Sequence, residues 1–203
     1  MAEHYLTHTA GPAAEAAQRT YFGRVQHHVS PDTEQRDELG AEEAHFISER
    51  DSFYLASVAE SGWPYVQHRG GPVGFLRVLD PQRLAFADLR GNRQMLTTGN
   101  VTLDNRVSLF LMDYPHRERL KILGRAHVFD AREHPDLADQ VALEETRKIT
   151  ERVVVIDVVS FDWNCPKYIT PRYTMKEIET LTSGLRQRIQ DLETQLRARP
   201  ASP

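Results

Sequence analysis

Seven strand-length runs, most of them joined by a few residues, constrain this chain more than any other feature of it. SFYLASVA (52–59) and PYVQHRG (64–70) flank the turn ESGW, and GFLRVLD (74–80) and RLAFAD (83–88) flank Pro81-Gln82. RVSLFLMD (106–113), the long LKILGRAHVFD (120–130) and VVVIDVVSF (153–161) complete the set. Runs rich in β-branched and aromatic residues between turn formers read as strands, and short connections join antiparallel neighbours. A sheet of many hairpin-linked strands with few helices points to a closed or split antiparallel barrel. RVSLFLMD is apolar enough to be buried on both faces, and Gly124 marks a bend or bulge in the long run.

Helical patterns are fewer. AEEAHFISER (41–50) puts Ala44, Phe46 and Ile47 on one side of a short helix that plugs an end of the core. Pro135 can open a second helix with Leu137, Val141 and Ile149 on its apolar side. MLTTGNVTL (95–103) suggests another, although Gly99 and the β-branched residues weaken it. From Met175 onward Ile178, Leu181, Leu185, Ile189, Leu192 and Leu196 recur every three or four residues, a strong helix pattern but a short one for a coiled coil. That helix either pairs with a symmetry mate or lies on its own barrel. Residues 1–40, with Gly11, Pro12 and Pro31, show no sustained apolar period. They read as an arm that packs on something else or is partly mobile, dispensable for the barrel. The division is therefore an arm (1–40), a barrel domain (41–174) and a C-terminal amphipathic helix and tail (175–203).

Composition excludes some functions. A formal net charge of -4 gives no basic surplus for nucleic acid or an anionic membrane surface. No run of about 18 apolar residues is present, and MAEHYLTHTAG lacks the basic and apolar regions of a signal peptide. A cytoplasmic protein is the expectation. The single cysteine, Cys165, allows no internal disulfide or paired metal ligands and reads as a packed apolar residue. The 21 Arg against 4 Lys reflect a GC-rich coding bias unless they cluster at particular loops.

Two polar clusters break the strand pattern. In WPYVQHRGG (63–71) three hydrogen-bonding side chains follow one another, so Gln67 and Arg69 share one face of a strand and His68 takes the other. An edge strand made unattractive by charge is the ordinary explanation. In ADLRGNRQ (87–94) a strand runs into a Gly-containing turn and then a helix, which brings backbone N–H groups and a guanidinium to one point. That is an anion site if it is not a solvated turn.

Taken in order, PYVQHRGGP, FADLRGNRQ, DNRVSLFLMD and ERLKILGRAHV resemble the pyridoxamine 5'-phosphate oxidase-like FMN-binding split-barrel family over roughly residues 41–174. The resemblance implies a six- to seven-stranded antiparallel split β-barrel, mainly β (α+β), with flanking helices and FMN as cofactor. GNRQ (91–94) stands where the family carries a phosphate loop: Arg93 matches its phosphate-binding Arg, Gln94 replaces a Lys, and Asn92 replaces a small hydroxyl residue. Gln67, His68 and Arg69 match the strand lining flavin and phosphate, the glycines after them allowing close approach of backbone to ligand. Ala87 and Asp88 fall at flavin contacts, and Arg119 matches a polar position near the ring. In FDWNCPKYITPRY (161–173), Trp163 and Arg172 are the candidates for closing the site from a partner subunit, unless Trp163 is simply core. His68 is the best candidate for acid–base work.

Departures from the vitamin B6 enzyme itself are plain. Pro72 stands where a flavin-phosphate Lys is expected, and the C-terminal Arg and His pattern for substrate is not reproduced. The resemblance thus implies a homodimeric FMN-dependent oxidoreductase of an uncharacterised branch, with cofactor sites at the subunit interface and NADH or NADPH as a possible reductant. Its rivals are a flavin carrier without turnover, and an F420-dependent or haem-handling member of the same fold.

Overall fold

The computed structural model describes residues 3–25, 35–163 and 166–198. The seven runs form the strands β1 (Ser52–Val58), β2 (Pro64–Gly70), β3 (Leu76–Asp80), β4 (Arg83–Leu89), β5 (Arg106–Asp113), β6 (Glu118–Asp130) and β7 (Thr150–Trp163). They make one sheet in the order β2-β1-β5-β6-β7-β4-β3. Every pairing is antiparallel. The helices are α1 (Glu3–Thr9), α2 (Pro12–Phe22), α3 (Ala41–Ser48), α4 (Leu96–Leu103), α5 (Pro135–Val141) and α6 (Met175–Arg197). This is a mixed α+β chain with the seven-stranded antiparallel sheet of a split barrel.

The sheet curls so that β1, next to one edge, meets β4, next to the other. Phe53 of β1 stacks on Phe75, just before β3, with centroids 5.5 Å apart, and meets Phe86 of β4 edge-on at 5.4 Å. Inside the curl Leu55, Leu84, Leu109, Leu111, Leu120, Ile122 and Ile156 have no exposed surface. Such burial stabilises by roughly 1.5–3 kcal/mol per large aliphatic side chain. A second layer under α5 packs Val141 and Ala142 on Ala85, Ala87, Val153 and Val155.

Gly124 lies at a register shift between β6 and β7, where a Cβ would collide with Ile156, so the expected bulge is present and sterically required. Gly71 has a different role from the one the resemblance gave it. Its missing side chain makes room for the Phe75 ring, 2.7 Å from where a Cβ would stand.

Three expectations need correcting. β5 alternates instead of burying both faces: Val107, Leu109 and Leu111 point inward, while Ser108, Phe110 and Met112 remain half-buried on the outside. α5 stops at Val141 because Ala142 turns to extended backbone, which leaves Ile149 exposed on a separate 3₁₀ turn. The segment before residue 41 is also a structural layer in part. Leu39 is buried in the core, and Tyr5 of α1 is buried with the Lys121 ammonium 4.4 Å from its ring centroid. Asp37 accepts hydrogen bonds from Ser160 Oγ at 2.8 Å and the Phe161 N–H at 3.0 Å, and lies 2.6 Å from His4 Nδ1. Burial opposes ionisation of Asp37, but these contacts outweigh it and hold its pKa below the ordinary carboxylate value. α2, by contrast, buries nothing.

Candidate functional site

The polar clusters converge where the inner side of β2 meets the end of β4. β1 and β2 pair in register, Phe53 with Arg69 and Leu55 with Gln67, so Tyr65, Gln67 and Arg69 share the side of the inward residues of β1. His68 takes the opposite side, edge-on to Tyr54 at 5.6 Å. The period-two argument from sequence therefore describes the strand correctly.

Asp88, at the end of β4, is buried and holds two guanidiniums. Arg69 donates to its Oδ1 at 2.7 Å, and Arg152, at the head of β7, donates to its Oδ2 at 2.8 Å. Arg69 also lies over the Phe86 ring, 5.6 Å from its centroid. Its Nε is buried without a hydrogen-bond partner. A buried, unsatisfied donor next to an open cleft is a place where an acceptor belongs.

The loop after β4 forms the other wall. Asn92 Oδ1 accepts the Gln94 N–H at 3.1 Å, while Arg93 and Met95 adopt left-handed backbone, φ 60° and 58°. Non-glycine residues seldom hold that conformation, and such strain gathers at ligand clamps. Met95 caps α4 in this conformation, and its side chain cannot satisfy the first-turn N–H groups of the helix. Thr97, in that first turn, donates to Gln67 Oε1 at 3.1 Å, which ties α4 to β2. Farther along the helix, Asn100 donates to Ser57 at 2.9 Å.

Outside this inner layer Glu151 meets two exposed guanidiniums, Arg90 Nε at 3.2 Å and Arg93 at 3.9 Å, and also accepts from Arg152 of the inner pair at 3.3 Å. The Arg90 hydrogen bond holds the Glu151 pKa below its ordinary value. Arg69, Arg90, Arg93 and Arg152 face Asp88 and Glu151, so the cleft keeps a positive surplus. Its volume is about 160 Å³. Small-molecule sites run to roughly 300–1,000 Å³, so this cleft has room for an end group and not for a whole nucleotide.

Of the residues singled out in the sequence, the cleft brings together Gln67, Arg69, Asp88, Asn92, Arg93 and Gln94. His68, Ala87, Arg119, Trp163 and Arg172 lie elsewhere. Ala87 points the other way, into the layer under α5. Arg119 covers the Phe110 ring at 5.1 Å on the outer face, with a buried Nε that lacks a partner. Trp163 packs edge-on against Phe46 of its own chain at 4.8 Å and donates to Glu43 at 2.8 Å. Arg172 lies 5.0 Å over Tyr114, beside a broad outer cavity of about 870 Å³ that also reaches Tyr54, Phe110 and the start of α6. Asn164 and Cys165 are outside the described residues.

The sequence reading missed Arg152 and Thr97. Arg152 was visible as a cation at the head of the apolar run VVVIDVV, but only pairing with β4 brings it to Asp88. Among the described residues no group of three or more His, Cys, Asp or Glu could hold a metal ion, and no helix is long and apolar enough to cross a membrane.

With this geometry in view, the comparisons become specific. The sequence model of the pyridoxamine 5'-phosphate oxidase family matches residues 39–162, which contain the whole sheet except its last residue and the whole cleft. The chain belongs to that family. No curated protein matched the sequence. Among solved structures, a candidate pyridoxamine 5'-phosphate oxidase from Lactobacillus delbrueckii is 21% identical, covering 62% of this chain and 93% of that one at a TM-score of 0.48. HupZ of Group A Streptococcus is 12% identical, covering 61% and 91% at a TM-score of 0.46. An F420 reductase is 19% identical, covering 57% and 93% at a TM-score of 0.41. Members of this pyridoxamine 5'-phosphate oxidase-like family typically bind flavin nucleotides.

Proposed function

We propose that the protein is an FMN-binding oxidoreductase that works as a homodimer. The observation carrying this reading is the Arg69–Asp88–Arg152 clamp facing a strained loop at the start of α4, a cradle for a phosphate dianion. FMN fits on physical grounds. Its phosphate matches the positive surplus, and the cleft volume suits the phosphate end alone.

Arg93 and the loop N–H groups would close on the phosphate from the solvent side, and Asp88 would keep Arg69 and Arg152 from turning away. Gln67, held by Thr97, is placed to orient the part of the ligand leaving the cleft along β2. The bound flavin would supply two-electron chemistry that no side chain here possesses.

The rest of the nucleotide needs a second wall, which supports a site completed by another copy of the chain. Arg172, outside its own cleft, is the residue we assign to that wall. Trp163 is engaged by Glu43 and Phe46 of its own chain and has a weaker claim to it.

Absorbance of the purified protein tests the reading. Flavin bands, with FMN identified by mass of the released ligand, and bleaching by NADH or NADPH are expected. A preparation that neither carries nor takes up added FMN would overturn it. Bound flavin without bleaching by any reductant would leave a carrier, and preferential uptake of F420 would move the protein to deazaflavin chemistry.

A further inference from the structure

The longest helix of the protein holds its apolar residues in water. None of the 23 residues of α6 is buried, and Leu181, Leu185, Ile189, Leu192 and Leu196 are 42–67% exposed. The helix is well begun: the Thr174 hydroxyl accepts the Glu177 N–H at 3.2 Å while the Glu177 carboxylate accepts the Thr174 N–H at 2.6 Å. Yet a helix roughly 35 Å long, with Gly184 near its middle, draws most of its stability from packing an amphipathic face, and here that face is bare.

The apolar residues follow a heptad that only Thr182 interrupts. Met175, Thr182, Ile189 and Leu196 occupy the a positions, and Ile178, Leu185 and Leu192 the d positions. Leu181 alone falls outside the seam, at g. Its placement explains it, since the outer cavity is lined by Lys176, Glu177, Thr180 and Leu181, on the b, c, f and g side. The barrel therefore addresses one side of α6 and leaves the a/d seam clear.

We propose that this seam pairs with α6 of a second copy in a parallel, in-register, two-stranded coiled coil. Charge and apolar overlap together decide the direction. In a parallel pair Arg188 at g meets Glu193 at e of the other chain, an opposite-charge contact that two-fold symmetry repeats. An antiparallel pair that buries the same seam would bring Arg186 to Arg186, Arg188 to Arg188 and Glu179 to Glu193, all like charges. The other antiparallel register would pair Glu179 with Arg186, but it sets Met175 against Leu192 and leaves Leu196 beyond the end of its partner, so the apolar overlap is shorter. Ile189 at a between Leu185 and Leu192 at d is also the combination that favours two strands.

A parallel pair sets a two-fold axis along α6. Nothing in this inference requires FMN, so it stands or falls apart from the proposed activity.

Cross-linking of the full chain tests it. In a Cys165→Ser background, Leu192→Cys should form an interchain disulfide on mild oxidation, because only parallel, in-register pairing brings a d position to its own copy. Gln187→Cys, at the outward f position, should cross-link slower, on the order of tenfold, since its Cβ atoms are held too far apart for disulfide geometry. Arg188→Glu should slow the Leu192→Cys reaction, and adding Glu193→Arg should restore it. Equal rates at Leu192 and Gln187, no cross-linking at Leu192, or indifference to the charge pair would each overturn the proposal. An association through the barrels alone would give the first or second of these results.

Discussion

Two pairs of arginines flank the same cleft and are held in opposite ways. Arg69 and Arg152 have side chains 17% and 18% exposed and are pinned by the buried Asp88. Arg90 and Arg93 are 64% and 69% exposed and share only Glu151, on the rim. In the inner pair the desolvation of Arg69 and Asp88 is offset only while both are present, and Arg152 bridges Asp88 and Glu151, so its geometry is fixed before any ligand arrives. In the outer pair water screens the contacts, so the guanidiniums hold little folding energy and can swing onto a ligand. A site with both a rigid floor and an adjustable rim can bind an anion without ordering everything at once.

That contrast can be broken most decisively at Asp88. Asp88→Ala would leave Arg69 confined without a carboxylate while Arg152 kept only Glu151, and removing one partner of such a buried arrangement costs about 3–5 kcal/mol. A fall of many degrees in Tm should appear by calorimetry even without ligand. A change of a degree or two would mean that the inner arginines find water as easily as the outer ones.

Arg93→Ala should do the reverse. It should leave Tm unchanged and weaken FMN by about one to two decades, the worth of a charge-assisted hydrogen bond to phosphate at roughly 1.5–3 kcal/mol. Fluorescence titration of the apoprotein measures it. Equal affinity would show that the rim does not touch the phosphate.

The smallest effect is the titration of Glu151. Its pKa is lowered mainly by Arg90, so it stays ionised where an ordinary glutamate begins to protonate. Its small stabilising contribution is present above the unfolded glutamate pKa and is lost as pH falls through the lower folded value. Carboxyl NMR of the parent and of Arg90→Ala should show the midpoint moving back up. No movement would mean that the rim contact is not formed in solution.

Much of this was legible in the chain. The seven runs, their hairpins, the bulge at Gly124 and the split of Gln67 and Arg69 from His68 all follow from period-two alternation and turn chemistry, which act over a few residues. Residue type alone could not tell whether Gly71 served a ligand or the Phe75 ring. Nor could it show that Ala87 turns into the layer under α5 while its neighbour Asp88 turns into the cleft.

What the sequence determined by itself is the seven strands, the helices from residue 41 onward, the family, and the apolar repeat of α6, because each is written in local spacing; α1 and α2 lie in the segment that showed no sustained apolar period. What only the tertiary structure decided is which charges meet. Arg152 reaches Asp88 from 64 residues away, and Asp37 reaches Phe161 from 124. Those meetings depend on sheet order, since β7 lies between β6 and β4 and brings the head of the last strand beside the end of the fourth. Strand order is fixed by how the whole apolar set is buried at once, and no short stretch of residues contains that information.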